Sequence, residues 1–250
     1  MSRDEPIQAI GVQQHLRSVT IEPPAISRAS ALTALAIIIP APTIGALVSF
    51  WIAPGTTGLI VYALCKAVLY LLPALWHRFR DQERWSLSPV KHGGWLIGLV
   101  SGLAIGAVIL LTWRVLGDRA IDTHAFADIL AKNGLSDVSR FLMAAAWLTI
   151  VNSALEEYSF RWFITTRIEA LAPRAATILS AAAFTLHHIV VLAAYLPYAM
   201  VIVGSAGIFV GGILWSWLYR RCRSIWPGWL SHALVDAAVM LVGYSVLFGH

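Results

Sequence analysis

The sequence predicts an all-α fold, a polytopic bundle of about seven transmembrane helices with the N-terminus in the cytoplasm. Three observations predict it. Of the 250 residues, 58% are hydrophobic and only 12% charged, and the mean hydropathy is +0.73; a soluble domain is nearer about half apolar and about a quarter charged. Several windows run for about 20 residues almost without charge, the length that crosses a hydrocarbon core of roughly 30 Å. Arg and Lys gather in alternate connections, as the positive-inside rule requires of cytoplasmic loops.

Residues 1–29 form a polar N-terminal segment with Asp4 and Glu5, expected in the cytoplasm. The first apolar run starts too late for a cleaved signal peptide. The transmembrane domain is expected over 30–250. Its first span, about 30–53, holds Pro40 and Pro42 and is expected to kink, which neighbouring helices tolerate in a membrane. The second, about 56–76, ends before the charged stretch HRFRDQER. The third, about 94–116, carries Gly94, Gly98, Gly102 and Gly106 four apart, a ridge that lets another helix approach closely. A polar loop over 117–140, with room for a short surface helix, leads to a fourth span at about 141–168. The fifth (175–195) and sixth (198–218) are one apolar run divided at Pro197, and the seventh covers about 227–248. The connections HRFRDQER, RIEALAPR and RRCRS carry excess Arg and belong inside. Trp76, Trp113 and Trp226 at span ends fit an interfacial belt.

The formal net charge of +5 follows from these loops. It gives no reason to expect a nucleic-acid partner; the expected partners are the lipid bilayer and a peptide. Cys65 and Cys222 lie far apart without metal-ligand spacing and read as free thiols.

Three spans carry clustered ionisable groups. The fourth reads ALEEYSFRW, in which Glu157 and Arg161 are i,i+4 neighbours with the acid first, the favoured order. Glu156 is turned about 100° away by the helix period, so its partner must come from another helix. The fifth holds Phe184, His187 and His188, and the seventh holds His232 and Asp236. The second span has only Lys66, and the first and sixth have none within their apolar cores. Each charge at mid-bilayer costs about 2.5–3.5 kcal/mol on insertion scales, and such groups face the protein interior or a wet cavity. Bringing the three clusters together builds one polar pocket, opening toward the cytoplasm.

A glutamate with two histidines suits two hydrolytic chemistries. In one, Glu156 and His188 deprotonate a water that attacks a peptide carbonyl, and His232 stabilises the oxyanion. In the other, Glu156, His188 and His232 bind Zn²⁺ with an open position for water. The sequence has no His-Glu-x-x-His motif, and the expectation is a site without cofactor, zinc being the alternative.

The clusters also form an ordered pattern: Glu-Glu-x-x-x-Arg at Glu156, Glu157 and Arg161, Phe-x-x-x-His at Phe184 and His188, and His-x-x-x-Asp at His232 and Asp236. In this the chain resembles the CPBP family of CAAX-processing endopeptidases, bacteriocin-processing proteins and abortive-infection proteins, over about 141–245. The resemblance implies a glutamate-type intramembrane endopeptidase. It assigns water activation to Glu156 and His188, the oxyanion to His232 and Asp236, support to Glu157 and Arg161, and the register of His188 to Phe184. Asn is frequent in the family where Asp236 stands here. An ionised Asp accepts hydrogen bonds and cannot donate to an oxyanion, so Asp236 is expected to orient His232 instead.

Blander readings stand beside these. Glu157–Arg161 can be a structural ion pair, Glu156 a protonated acid bonded to a neighbouring helix, and His232–Asp236 a helix cap; His187 reads as the bland member of its pair. Two other functions compete, a proton-coupled transporter and a non-proteolytic scaffold or immunity protein. The preferred substrate is a peptide or protein in or at the membrane, with or without a lipid. The excess of Arg over Lys points to a GC-rich bacterial genome, hence to a bacterial cytoplasmic membrane.

Overall fold

In the computed structural model the described residues are 26–82, 86, 88–90, 92–120, 122–132 and 134–249. Residues 1–25, most of the expected N-terminal segment, lie outside them. The described residues form helices without a strand: α1 (Arg28–Ile52), α2 (Thr56–Phe79), α3 (Trp95–Ala120), α4 (Thr123–Lys132), α5 (Val138–Leu171), α6 (Ala176–Tyr195), α7 (Tyr198–Cys222) and α8 (Trp226–Phe248). All but α4 are long and apolar enough to span a bilayer, so the protein is an integral, multi-pass membrane protein. The expected spans match these helices to within a few residues, and α4 is the short helix expected in the 117–140 loop.

Local chemistry explains the ends and breaks. Ser27 caps α1 by accepting from the Ser30 amide at 3.2 Å, and Asp137 caps α5 by accepting from the Arg140 amide at 3.0 Å. In α1 the helical ladder lapses at Ile39 and restarts at Pro40, because prolines supply no amide hydrogen to the preceding turn. α5, at 34 residues the longest helix, was expected to be a plain α-helix. It instead widens into π-helical winding at Trp147–Asn152 and Glu157–Thr165, with a single α turn, Ser153–Glu156, between them. The wider turns change the rotation per residue, so the polar side chains of α5 fan over several neighbours. Such winding is frequent at functional sites.

The second half of α5 lies inside the bundle, with Phe160, Phe163 and Ile164 fully buried in the core, whereas most of 138–152 is exposed. Lipid-facing positions such as Leu59, Leu64, Leu96 and Leu111 stay exposed, as they should where hydrocarbon replaces water. Cys65 and Cys222 are free thiols.

The glycine ridge of α3 packs on α8. A Cβ at Gly98 would collide with the Pro227 carbonyl, and one at Gly102 would lie 2.9 Å from Leu234 Cβ and Ser231 Cα. Close backbone approach is what small residues provide between membrane helices. It fixes the half of α8 that bears His232. At one face of the bundle, Glu169 of α5 bonds to Arg220 at the end of α7 and to Arg223 just beyond it, at 3.2 and 2.9 Å. Arg167 of α5 pairs with Asp81 beyond α2.

Gly98→Ala and Gly102→Ala should each destabilise the bundle by about 1–3 kcal/mol, the usual cost of overpacking. Gly207→Ala, where an added Cβ meets nothing within 4 Å, should be neutral. Thermal unfolding of the three variants in detergent checks the contrast.

Candidate active site

The site begins with two adjacent carboxylates that leave α5 in different directions. Glu157 is fully buried, and its Oε1 accepts from Arg161 Nε at 3.2 Å and from His232 Nδ1 at 3.1 Å. The i,i+4 pairing expected on α5 is therefore present despite the π winding, and it reaches on to α8. Gly228, one turn before His232, leaves space for this carboxylate: a Cβ there would come within 2.8 Å of Glu157 Oε2. Arg161, also fully buried, places Nη1 3.2 Å from Ser216 Oγ, and its guanidinium lies 4.6 Å from the centre of the Phe184 ring. Phe184 thus supports the cation.

Glu156, 3% exposed, points to a separate set of groups. Its Oε1 is 3.1 Å from Lys66 Nζ and 4.0 Å from His187 Nε2, and its Oε2 is 3.9 Å from His232 Nε2. His188 Nδ1 lies 2.8 Å from the Phe184 carbonyl oxygen. A carbonyl only accepts, so Nδ1 carries the hydrogen and Nε2 keeps a free lone pair. His187 and His188 have ring centres 3.9 Å apart. His232 stacks on Trp215 at 4.1 Å with 14° between the planes, and Trp215 Nε1 in turn donates to Ser231 Oγ at 3.0 Å. Its orientation is set on two sides, by a stacking plane and by the Glu157 hydrogen bond.

The structure thus brings Glu156, Glu157, Arg161, Phe184, His188 and His232 into one cluster from α5, α6 and α8. Two expectations change in detail. The hydrogen bond that orients His232 comes from Glu157, whereas Asp236 Oδ1 stands 3.7 Å from His232 Nε2, beyond hydrogen-bond reach, with a quarter of its side chain exposed. His187, read as bland, is buried beside Glu156.

Two residues escaped the sequence reading, and a third, Lys66, was noted there without a role. Lys66 and Tyr70 of α2 and Asn152 of α5 form a network around Glu156 Oε1, with Lys66 Nζ 3.0 Å from Tyr70 Oη and 3.4 Å from Asn152 Oδ1. Lys66–Tyr70 and Asn152–Glu156 are both i,i+4 pairs. That spacing, together with a lone lysine in an apolar span, was the signal available.

Among the described residues, the group close enough to share a metal is Glu156, His187 and His188, with ligand atoms within 4.8 Å of one another. This differs from the alternative set of Glu156, His188 and His232, in which His232 is anchored to Glu157 through Nδ1 and keeps Nε2 available. In either set Glu156 would be shared with Lys66. Glu156 Oε1 already holds the Lys66 ammonium, and a second cation on that carboxylate would face a like charge within a few ångströms.

Residues 138–238 match one protein family. It is the type II CAAX prenyl endopeptidase Rce1-like family. The Rce1-like segment runs from the start of α5 to just past Asp236 on α8, so it contains both carboxylates, Arg161, the histidine pair and His232. This agrees with the resemblance that the three motifs carry, and the matched segment spans the motif-bearing helices. α1, α2 and α3 lie outside the Rce1-like segment, and with them Lys66 and Tyr70. No curated protein and no solved structure matches the chain.

Removing Arg161 would leave Glu157 as an uncompensated buried charge. Arg161→Met should cost about 3–5 kcal/mol, the usual penalty for breaking a buried pair. Arg161→Lys should recover little of it, because an ammonium lacks the planar fork that spans Glu157 and Ser216. The fraction eluting as monodisperse protein from detergent, with its melting temperature, checks both variants.

Proposed function

We propose that the protein is an intramembrane endopeptidase that hydrolyses a peptide bond with a water activated by Glu156 and His188. One observation carries the reading: Glu156 Oε2 and His232 Nε2 face each other at 3.9 Å without bonding directly, while the far nitrogen of the same imidazole is anchored to Glu157. A water beside this gap can give its proton to Glu156 and a second hydrogen bond to His188 Nε2. Its oxygen attacks the carbonyl carbon, and the carbonyl oxygen becomes the oxyanion. His232 Nδ1 already donates to Glu157, so donation from Nε2 to the oxyanion uses the imidazolium form, a charge balanced by Glu156, Glu157 and Asp236 around the ring. The tetrahedral carbon then expels the amine, which takes the proton held by Glu156. One water is consumed, and one acid and one amine are released.

The match to CAAX endopeptidases supports a peptide substrate in or at the membrane. A lipidated C-terminus and an unmodified membrane-embedded segment both fit this chemistry. Residues 30–250 act as one protease domain with its working core at 141–245. The Arg-rich face formed by the ends of α2, α5 and α7 is assigned to the cytoplasm of a bacterial cell, and the site opens toward it. The reaction requires no cofactor.

The decisive experiment incubates the purified protein in detergent with a library of C-terminal peptides, with and without a chelator. The expected result is cleavage that survives the chelator and is abolished in Glu156→Gln, a loss of at least about 10²-fold for a general base. Chelator-sensitive cleavage would establish the zinc-dependent form, and substrate-independent behaviour of Glu156→Gln would favour a scaffold or transporter. Within the peptidase, Glu157→Gln should lower kcat far more than Asp236→Asn, since only Glu157 is hydrogen-bonded to His232. Steady-state kinetics of the two variants tests that order.

A further inference from the structure

We infer that Lys66 is a positioning residue for the general base: from a helix outside the Rce1-like segment, its ammonium holds one oxygen of Glu156 so that the other faces His232. The inference rests on the peptidase reading above and extends the working site to α2. An ammonium has three hydrogens to donate. Lys66 has three acceptors around it: Glu156 Oε1 at 3.1 Å, Tyr70 Oη at 3.0 Å and Asn152 Oδ1 at 3.4 Å. Tyr70 Oη lies 2.6 Å from Asn152 Oδ1, an atom that only accepts, so the tyrosine hydrogen goes to Asn152 and its oxygen is left to accept from Lys66. The three hydrogens of Lys66 and the hydroxyl hydrogen of Tyr70 are thereby committed, so Lys66 acts through Glu156 rather than on the reacting atoms.

The geometry at Glu156 is correspondingly unequal. Oε1 carries the Lys66 contact and has only His187 Nε2 further off, at 4.0 Å. Oε2 is 3.9 Å from His232 Nε2 and is the oxygen left to take a proton from water. The rings of Tyr62 and Tyr70 lie 5.9 and 5.3 Å from Nζ and flank the ammonium, which restricts its travel. A charge held this way in an apolar bundle serves two ends. It offsets the burial of Glu156, and it removes the rotational freedom that would let the carboxylate present either oxygen. A base held in one orientation is a contribution to rate more than to binding.

The test is steady-state cleavage of a peptide substrate in detergent by the wild type and four variants, each compared at equal folded concentration. Lys66→Met should lower kcat by about 10²-fold with KM nearly unchanged, the pattern of lost transition-state stabilisation. Lys66→Arg should keep more activity than Lys66→Met, and Lys66→Ala should regain part of its loss when methylammonium is added. Tyr70→Phe keeps the ring and removes the hydroxyl that orients Lys66. It should lower kcat several-fold without changing KM, and it covers the case in which the lysine variants fail to fold. Wild-type kcat in Tyr70→Phe and in any folded Lys66→Met, or a folded Lys66→Ala that methylammonium leaves unchanged, overturns the inference while leaving the peptidase reading intact. Absence of Glu156-dependent cleavage in the wild type overturns both.

Discussion

The Glu157 carboxylate, fully buried in a bundle meant for lipid, is the constraint from which the rest of the architecture follows. A charge there has to be met by partners, and one Arg on the same helix is not enough. Its Oε1 takes a hydrogen bond from Arg161 and another from His232, so the helix that carries the acids is tied to the helix that carries His232. Arg161 in turn needs Ser180, Ser216 and the face of Phe184. Through that chain a single buried charge brings α5, α6, α7 and α8 into register. Buried ion pairs are weak evidence for net stability, but removing one partner from them is costly. Here that cost is what keeps four helices from sliding past one another.

The two neighbouring acids are separated by what they touch. Glu157 is held through Oε1 by Arg161 and His232, whereas Glu156 is held on one oxygen by Lys66 and has the other facing His232. Adjacent residues on a helix diverge by the helix period, so a Glu-Glu pair serves two neighbourhoods. The π winding on either side of Ser153–Glu156 widens the fan of directions available to α5. Packing far from the polar groups completes the arrangement. The glycines of α3 bring α8 close enough that Ser101 reaches Ser231 at 3.0 Å, and Ser231 in turn anchors Trp215, the plane on which His232 stacks.

Much of this could be read in the chain. Long uncharged windows marked the spans because lipid permits little but helix, and the breaks at Pro40 and Pro197 and the short helix α4 were visible as local chemistry. Glu156, Glu157, Arg161, His188 and His232 stood out because each is costly in hydrocarbon, and their order matched a known set of motifs. What stayed hidden was pairing between helices. Lys66 was noticed as an isolated charge, yet nothing in its own span said that it would lie against an acid 90 positions further along the chain. The sequence reading chose His188 and set His187 aside, whereas both rings lie near Glu156. The role of orienting His232 was assigned to Asp236 from the motif and from the inability of a carboxylate to donate, and the bond to Glu157 comes from a residue 75 positions away.

The amino-acid sequence by itself determined the class of fold, the number and limits of the spans, and the identity of the groups that can do chemistry. Those depend on the exchange between water and hydrocarbon and on hydrogen bonds within one helix, both of which are local in the chain. Only the tertiary structure decided which carboxylate oxygen meets lysine and which faces imidazole, because that depends on the rotation and depth of each helix against its neighbours. Those quantities are set by interlocking side chains and close backbone contacts across the whole bundle, and they have no counterpart in any single stretch of residues.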